Sequence, residues 1–165
     1  MIPAFVGLGS NAGDRAAHLE RALTALAGIP STRLSGVSSL YDTEPVGDPG
    51  QPRYLNAVAR LFTLLPPGEF AEALREVERR GGRPNSGRGG ARTIDLDLLY
   101  YGDLVFEGPG LRVPHPWAPD RLFVLVPMAE LAPDWVDPAV GIPVTGLLRG
   151  RRRLESVRFA GRPRW

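Results

Sequence analysis

The stretch Thr93-Ile94-Asp95-Leu96-Asp97-Leu98-Leu99-Tyr100 decides how this chain is read. Apolar side chains recur at Ile94, Leu96, Leu98 and Tyr100, the period-2 pattern of a strand with one face on a core. Asp95 and Asp97 then fall on the opposite face, about 6.6 Å apart at a rise near 3.3 Å per residue. Aspartate is depleted in strands, and two like charges on one face repel each other. A divalent cation between them reverses that cost, and Mg2+ suits such an oxygen pair. On this stretch alone, chance acids on a solvated edge strand remain an equal reading.

The segment before the strand shifts the balance. Gly81-Gly82-Arg83-Pro84-Asn85-Ser86-Gly87-Arg88-Gly89-Gly90-Ala91-Arg92 brings arginine and glycine to the carboxylate face. Guanidinium forks grip phosphate oxygens bidentately, and glycine lets a backbone approach or close over a polyphosphate. Phosphate, arginine and Mg2+ held by aspartate make one consistent set. An Arg/Gly segment that binds RNA is the competing reading, and it leaves Asp95 and Asp97 unexplained.

Elsewhere the pattern is that of a mixed fold. Residues 4–8 read as a strand ending in a Gly9-Ser10-Asn11 turn, and residues 14–29 as a helix carrying Leu19, Leu23 and Leu26, capped by Asp14. Residues 34–41 and 56–64 read as strands. Leu65-Pro66-Pro67-Gly68 opens a second helix with Phe70, Leu74 and Val77 on one face. Residues 120–131 carry a helical apolar face that Pro127 is expected to interrupt or restart. The order β-α-β-β-α-β followed by a helical end predicts an α+β, ferredoxin-like fold, with helices packed on one face of a mainly antiparallel sheet.

Composition excludes several chemistries. The 165 residues, 43% hydrophobic and 23% charged, suit a single globular domain over 1–165. There is no cysteine, which removes disulfides, thiolate zinc sites and cysteine nucleophiles together. All 20 basic residues are arginine, so neither a Walker-type lysine nor a Schiff base is available. No apolar run approaches the roughly 20 residues of a membrane span. With no signal-peptide pattern at its start, the chain is expected to be cytoplasmic. Residues 149–165 hold seven arginines against one glutamate. This basic segment is read as a solvated terminus in preference to a nucleic-acid arm.

Five ordered motifs resemble the 6-hydroxymethyl-7,8-dihydropterin pyrophosphokinases of folate biosynthesis. They are Gly7-Leu8-Gly9-Ser10-Asn11, Ser38-Ser39-Leu40-Tyr41-Asp42-Thr43-Glu44-Pro45, Tyr54-Leu55-Asn56, Arg92-Thr93-Ile94-Asp95-Leu96-Asp97, and Val113-Pro114-His115 with Arg121 and Phe123. The resemblance covers roughly residues 4–148, with Ala91 where the family usually has proline and Pro116 where a hydrogen-bonding side chain is common. It implies Mg2+-dependent transfer of pyrophosphate from ATP to the hydroxymethyl group of the pterin, giving AMP. Asp95 and Asp97 would hold two Mg2+ ions, and Arg83, Arg92, His115 and Arg121 would be catalytic. Arg75, Glu78, Arg88, Arg92, Leu98, Arg112, His115 and Arg121 would meet ATP. Thr43, Pro45, Val46, Tyr54, Asn56 and Phe123 would form the pterin pocket. Taken alone, Tyr54 and Phe123 also read as core aromatics, and Asn56 as a residue at a strand entry.

The segment 82–92 is expected to be the most mobile internal one and to order over bound ligands. The chain is expected to act as a monomer, a weak dimer being the alternative, without nucleic acid or membrane. A ferredoxin-like RNA-binding module is the second functional reading. It lacks the stacking aromatics that such a strand needs where Asp95 and Asp97 stand.

Overall fold

The computed structural model describes residues 1–45, 50–82, 93–151 and 156–165. Val46, Arg83, Arg88, Arg92 and nearly all of the 82–92 segment therefore lie outside the described residues. The elements are β1 (Ile2–Ser10), α1 (Arg15–Ala27), β2 (Thr32–Val37), β3 (Leu40–Thr43), β4 (Tyr54–Thr63), α2 (Pro67–Arg80), β5 (Asp95–Tyr101), β6 (Phe106–Gly108), β7 (Leu111–Val113), α3 (Leu122–Leu131), α4 (Val144–Arg149) and β8 (Val157–Gly161). The main sheet runs β5-β1-β4-β3-β8, with β2 also paired to β4, and the pairings are antiparallel. β6 and β7 form a separate hairpin.

Local chemistry explains the helices. Asp14 caps α1, its side chain accepting from the Ala17 N–H at 3.0 Å, and Leu19, Ala22, Leu23 and Leu26 bury one stripe. Pro67 starts α2, where a missing N–H costs nothing, and Phe70, Ala71, Leu74 and Val77 face the core. α1 and α2 cover one face of the sheet with Ala4, Val6, Leu8, Ala57, Leu61, Leu96 and Leu98.

The expectation that helices cover one face only is corrected. Phe5, Val58, Leu99 and Tyr100 form a second cluster on the other face with Val124, Leu125, Met128, Val144 and Leu147 of α3 and α4. Pro127 does not interrupt α3; it is buried inside the helix, and packing offsets the lost N–H bond.

Three further sequence readings change. Residues 34–41 are two strands, not one, because Ser38 and Ser39 interrupt the ladder. Ser38 Oγ accepts from the Val58 N–H at 2.9 Å, while the Ser39 N–H and Oγ both donate to Glu130 at 2.9 Å. Gly9 and Ser10 lie within β1, not in a turn, since pairing with β4 and β5 extends past the apolar run. The basic terminus is not merely solvated: β8 pairs with the free edge of β3.

In β5 the period-2 pattern holds only as far as Leu98. The β1–β5 register shifts between Phe5 and Val6, so Leu99 is an extra residue. Tyr100 is thereby carried to the face of Asp95 and Asp97, and Tyr101 returns to the first core. There the Tyr100 hydroxyl donates to buried Asp137 at 2.9 Å, and burial with the Asp137 charge pushes the phenol pKa up. Asp137 also accepts from the Ala139 and Val140 N–H groups, tying the chain before α4 to the sheet. Tyr100→Phe is expected to cost about 1.5–3 kcal/mol, the range for a hydrogen bond to a charged group. Urea denaturation checks this, and a wild-type midpoint would contradict it.

Candidate functional site

The pocket lies on the second face of the sheet, beyond the end of the α3–α4 cluster. Antiparallel pairing sets its rows. Gly7 of β1 stands between Asp97 of β5 and Val58 of β4; Gly9 stands between Asp95 and Asn56. Tyr54, Asn56 and Val58 line one side of the pocket, and Asp95, Asp97 and Leu99 line the other. Two glycines in one strand at i and i+2 leave a floor without side chains between the two sides. A Cβ on Gly9 would lie 2.9 Å from Asn56 Oδ1 and 3.6 Å from the Tyr54 ring. Close approach, not backbone conformation, accounts for this glycine.

On the β4 side, Asn56 is 8% exposed and Thr43 3%. Asn56 Nδ2 donates to Thr43 Oγ1 at 2.5 Å, which turns Oδ1 toward the glycine floor. Tyr54 pairs with Thr43 across the strands, and both enter the same pocket, whereas half-buried Pro45 lies outside its lining. The opposite wall is aromatic. Phe123 and Trp117 meet edge to face at 6.0 Å, and the Arg121 guanidinium carbon lies 5.5 Å from the Phe123 ring and 6.0 Å from that of Trp117.

On the β5 side, the acids are half-buried. Buried Glu78 of α2 supports the strand between them, its Oε1 accepting from the Leu96 N–H at 2.8 Å. The His115 N–H donates to the Leu99 carbonyl at 2.9 Å, which ties the loop before α3 to the bulge in β5. His115 Nδ1 accepts from the Trp117 N–H at 3.2 Å, so the neutral ring carries its proton on Nε2, 3.6 Å from Asp97 Oδ1. Burial lowers the His115 pKa; the Asp95 charge opposes this and Arg112 adds to it. The imidazole is therefore a neutral hydrogen-bond donor facing the acid side of the pocket.

The residues singled out from sequence do not all gather here. Thr43, Tyr54, Asn56, Asp95, Asp97, His115 and Phe123 line the pocket, with Arg121 stacked on its aromatic wall. Arg75 lies outside that lining, paired with Glu72 at 2.8 Å and with the Gly110 carbonyl at 3.3 Å; Arg112 lies 3.6 Å from Glu107. The Leu98 side chain is in the first core. The sequence reading missed Trp117 and the floor at Gly7 and Gly9. Its available signals were a tryptophan two residues after His115 and a glycine pair inside a strand.

Among the described residues no group of three or more His, Cys, Asp or Glu side chains could hold a metal ion. Two carboxylates on one strand still fit Mg2+, which keeps several waters and is commonly held by one or two carboxylates plus substrate phosphates.

Comparison with known proteins gives a consistent result. Residues 5–133 match the family model 7,8-dihydro-6-hydroxymethylpterin-pyrophosphokinase. A 2-amino-4-hydroxy-6-hydroxymethyldihydropteridine pyrophosphokinase of Pseudomonas aeruginosa is 44% identical over 130 residues, covering 79% of this chain and 80% of the relative. One of Bacillus subtilis is 41% identical over 128 residues, covering 78% and 77%. The crystal structure of wild-type HPPK-DHPS of Plasmodium falciparum superposes with a TM-score of 0.69 at 12% identity. It covers 90% of this chain, which spans 44% of that longer protein, and at this identity it speaks for the fold alone.

Gly9→Ala is expected to displace the Asn56 amide and break its bond to Thr43. The cost of about 1 kcal/mol reads as a fall of roughly 2–4 °C in Tm. Thermal unfolding and the Asn56 side-chain amide resonances check it; an unchanged Tm with unchanged resonances would contradict it.

Proposed function

The chain belongs to the 7,8-dihydro-6-hydroxymethylpterin-pyrophosphokinase family, and on that premise we propose how its own residues carry out the reaction. It is an ATP-dependent pyrophosphokinase of folate biosynthesis, acting on 2-amino-4-hydroxy-6-hydroxymethyldihydropteridine. The observation that carries the mechanism is the two-sided pocket, with acids on β5 and a polar, aromatic slot on β4 facing each other across Gly7 and Gly9.

In this reading the flat pterin enters between Tyr54 and Phe123. Asn56 and Thr43 meet its polar edge, Oδ1 accepting from ring N–H groups while Thr43 holds the amide in place. Pro45 and Val46 would belong to the pterin pocket, as the family resemblance implies. The hydroxymethyl group then points across the glycine floor toward the acid side. Asp95 and Asp97 would hold two Mg2+ ions, which when bound screen the triphosphate and the charge that builds as AMP departs. Arg83, Arg88, Arg92 and Arg121 would clamp phosphate oxygens, and Arg75 and Arg112 would reach the nucleotide from the rim. Glu78, which holds the Leu96 N–H, and the main chain of Leu98 would meet the nucleotide from the β5 edge. His115 donates from Nε2 to a phosphate oxygen.

The substrate hydroxyl attacks the β-phosphorus directly, the bond from that phosphorus to the α–β bridging oxygen breaks, AMP leaves with that oxygen, the hydroxyl proton passes to solvent, and no side chain becomes a covalent nucleophile. The side chains contribute orientation and fixed charge. The residues from 1 to 165 would act as one cytoplasmic monomer, with neither nucleic acid nor a membrane in the reaction. No helix of the described residues is long and apolar enough to cross a membrane. The RNA-binding reading finds no support, since the face that would stack bases presents Asp95 and Asp97.

Incubation with ATP, Mg2+ and the hydroxymethyl dihydropterin is expected to release AMP only when the pterin is present. ATP turnover indifferent to the pterin would overturn the reading. Asp95→Asn and Asp97→Asn are each expected to lower turnover by at least about 100-fold, the scale for losing one fixed charge stabiliser, with the circular dichroism spectrum unchanged. Wild-type turnover at limiting Mg2+ in either variant would remove the metal role. For Asn56→Ala, calorimetry is expected to show a loss of pterin affinity far larger than any change for an unreactive ATP analogue. Equal losses for both ligands would make Asn56 a structural residue.

A further inference from the structure

An ionic cluster lies behind the pocket, on the face that carries α1. Thr43 and Tyr54 form the last rung of the β3–β4 ladder. The residues just before them, Asp42 and Arg53, are joined on the reverse face. Arg53 Nε donates to the Asp42 carboxylate, and Nη2 donates to the Asp42 carbonyl at 3.3 Å and to Ser156 Oγ at 3.4 Å. Arg53 Nη1 reaches Glu44 at 3.4 Å. Arg15, the first residue of α1, closes the ring: its Nη1 donates to Asp42 Oδ2 at 3.0 Å and to the Arg53 carbonyl at 2.8 Å. On the far edge of β3, Val157 and Arg158 of β8 pair with Thr43 and Asp42. β8 lies outside residues 5–133, the span that the family model matches.

The Arg53 and Asp42 side chains keep 32% and 24% of their exposure, so the pair contributes little to global stability. Its placement is more telling than its strength. Arg53 ties together the starts of β4 and β8 and the end of β3 at the one rung whose two side chains enter the pocket. We infer that Arg53 is a positioning residue for the pterin end of the site: with Asp42 and Arg15 it holds Thr43 and Tyr54 in register, while β8 clamps the same rung from outside. The inference rests on the pyrophosphokinase reading given above.

Steady-state kinetics and calorimetric pterin binding on the full chain test it, with Arg53→Ala, Arg53→Lys, Asp42→Asn and the double variant Arg53→Ala/Asp42→Asn. Arg53→Ala is expected to raise the pterin KM and Kd roughly tenfold, equivalent to about 1.4 kcal/mol. The ATP KM and kcat should stay within about twofold, the range of small surface effects. Arg53→Lys should recover part of the loss, keeping the charge opposite Asp42 without the planar fork. Asp42→Asn should reproduce the effect, and the double variant should be no worse than either single one. Equal rises in both KM values, or a lowered Tm with pterin KM and Kd unchanged, would overturn the inference and leave Arg53 a structural tie. Calorimetry keeps the two claims apart: a wild-type chain that binds pterin but forms no AMP counts against the activity, while the Arg53 comparison still stands on Kd.

Discussion

Everything in this site depends on one strand passing through it without side chains. β1 lies between β4 and β5, paired with β4 over its whole length and with β5 from Ala4 to Gly9, and at Gly7 and Gly9 it presents only backbone to the second face. Fixed pairing on both sides sets the lateral distance between the acids and the Asn56 amide, because antiparallel strands are held about 4.8 Å apart. The side chains that line the pocket from β4 and β5 are therefore held by strand pairing. A Cβ at Gly9 would meet Asn56 Oδ1 at 2.9 Å, and one at Gly7 would meet the Leu99 side chain at 3.5 Å.

The same sheet separates two jobs by face. One face buries α1 and α2 and carries much of the apolar core; the other is half core and half site, with the boundary near the Leu99 bulge. The bulge places Leu99 and Tyr100 consecutively against α3 and α4, while Asp95 and Asp97, four and two residues before Leu99, line the pocket. Without the extra residue, Tyr100 would turn to the first core and Asp137 would lose the phenol donor, keeping those of Ala139 and Val140. A local irregularity in one edge strand thus ends the second core and begins the site.

Much of this was legible in the sequence because it follows short periods. The alternation over residues 94–98, the stripe at Leu19, Leu23 and Leu26, and the Pro67 start of α2 are local signals that the fold keeps. What was hidden depends on partners distant in sequence. Ser38 and Ser39 break a strand because Glu130, ninety-odd residues on, accepts from Ser39. Tyr100 changes face because of a register shift against Phe5. Pro127 stays inside α3 because that helix is buried. The basic terminus becomes β8 because β3 leaves an edge unpaired, which no property of residues 157–161 announces. Of the pocket lining, Asp95 and Asp97 are marked by their spacing on one strand face, and Asn56 and Tyr54 by the family resemblance. Trp117 escaped, since its contacts with His115 and Phe123 arise only when the loop before α3 folds back on β5.

The central claim is geometric, and a ternary crystal structure with an unreactive ATP analogue, the hydroxymethyl dihydropterin and Mg2+ tests it most directly. The expected result is the pterin ring between Tyr54 and Phe123 with its polar edge on Asn56 and Thr43, the ions on Asp95 and Asp97, and the hydroxymethyl oxygen in line with the β-phosphorus above Gly7 and Gly9. Ions bound away from both aspartates, or a pterin seated away from the Asn56 amide, would contradict it.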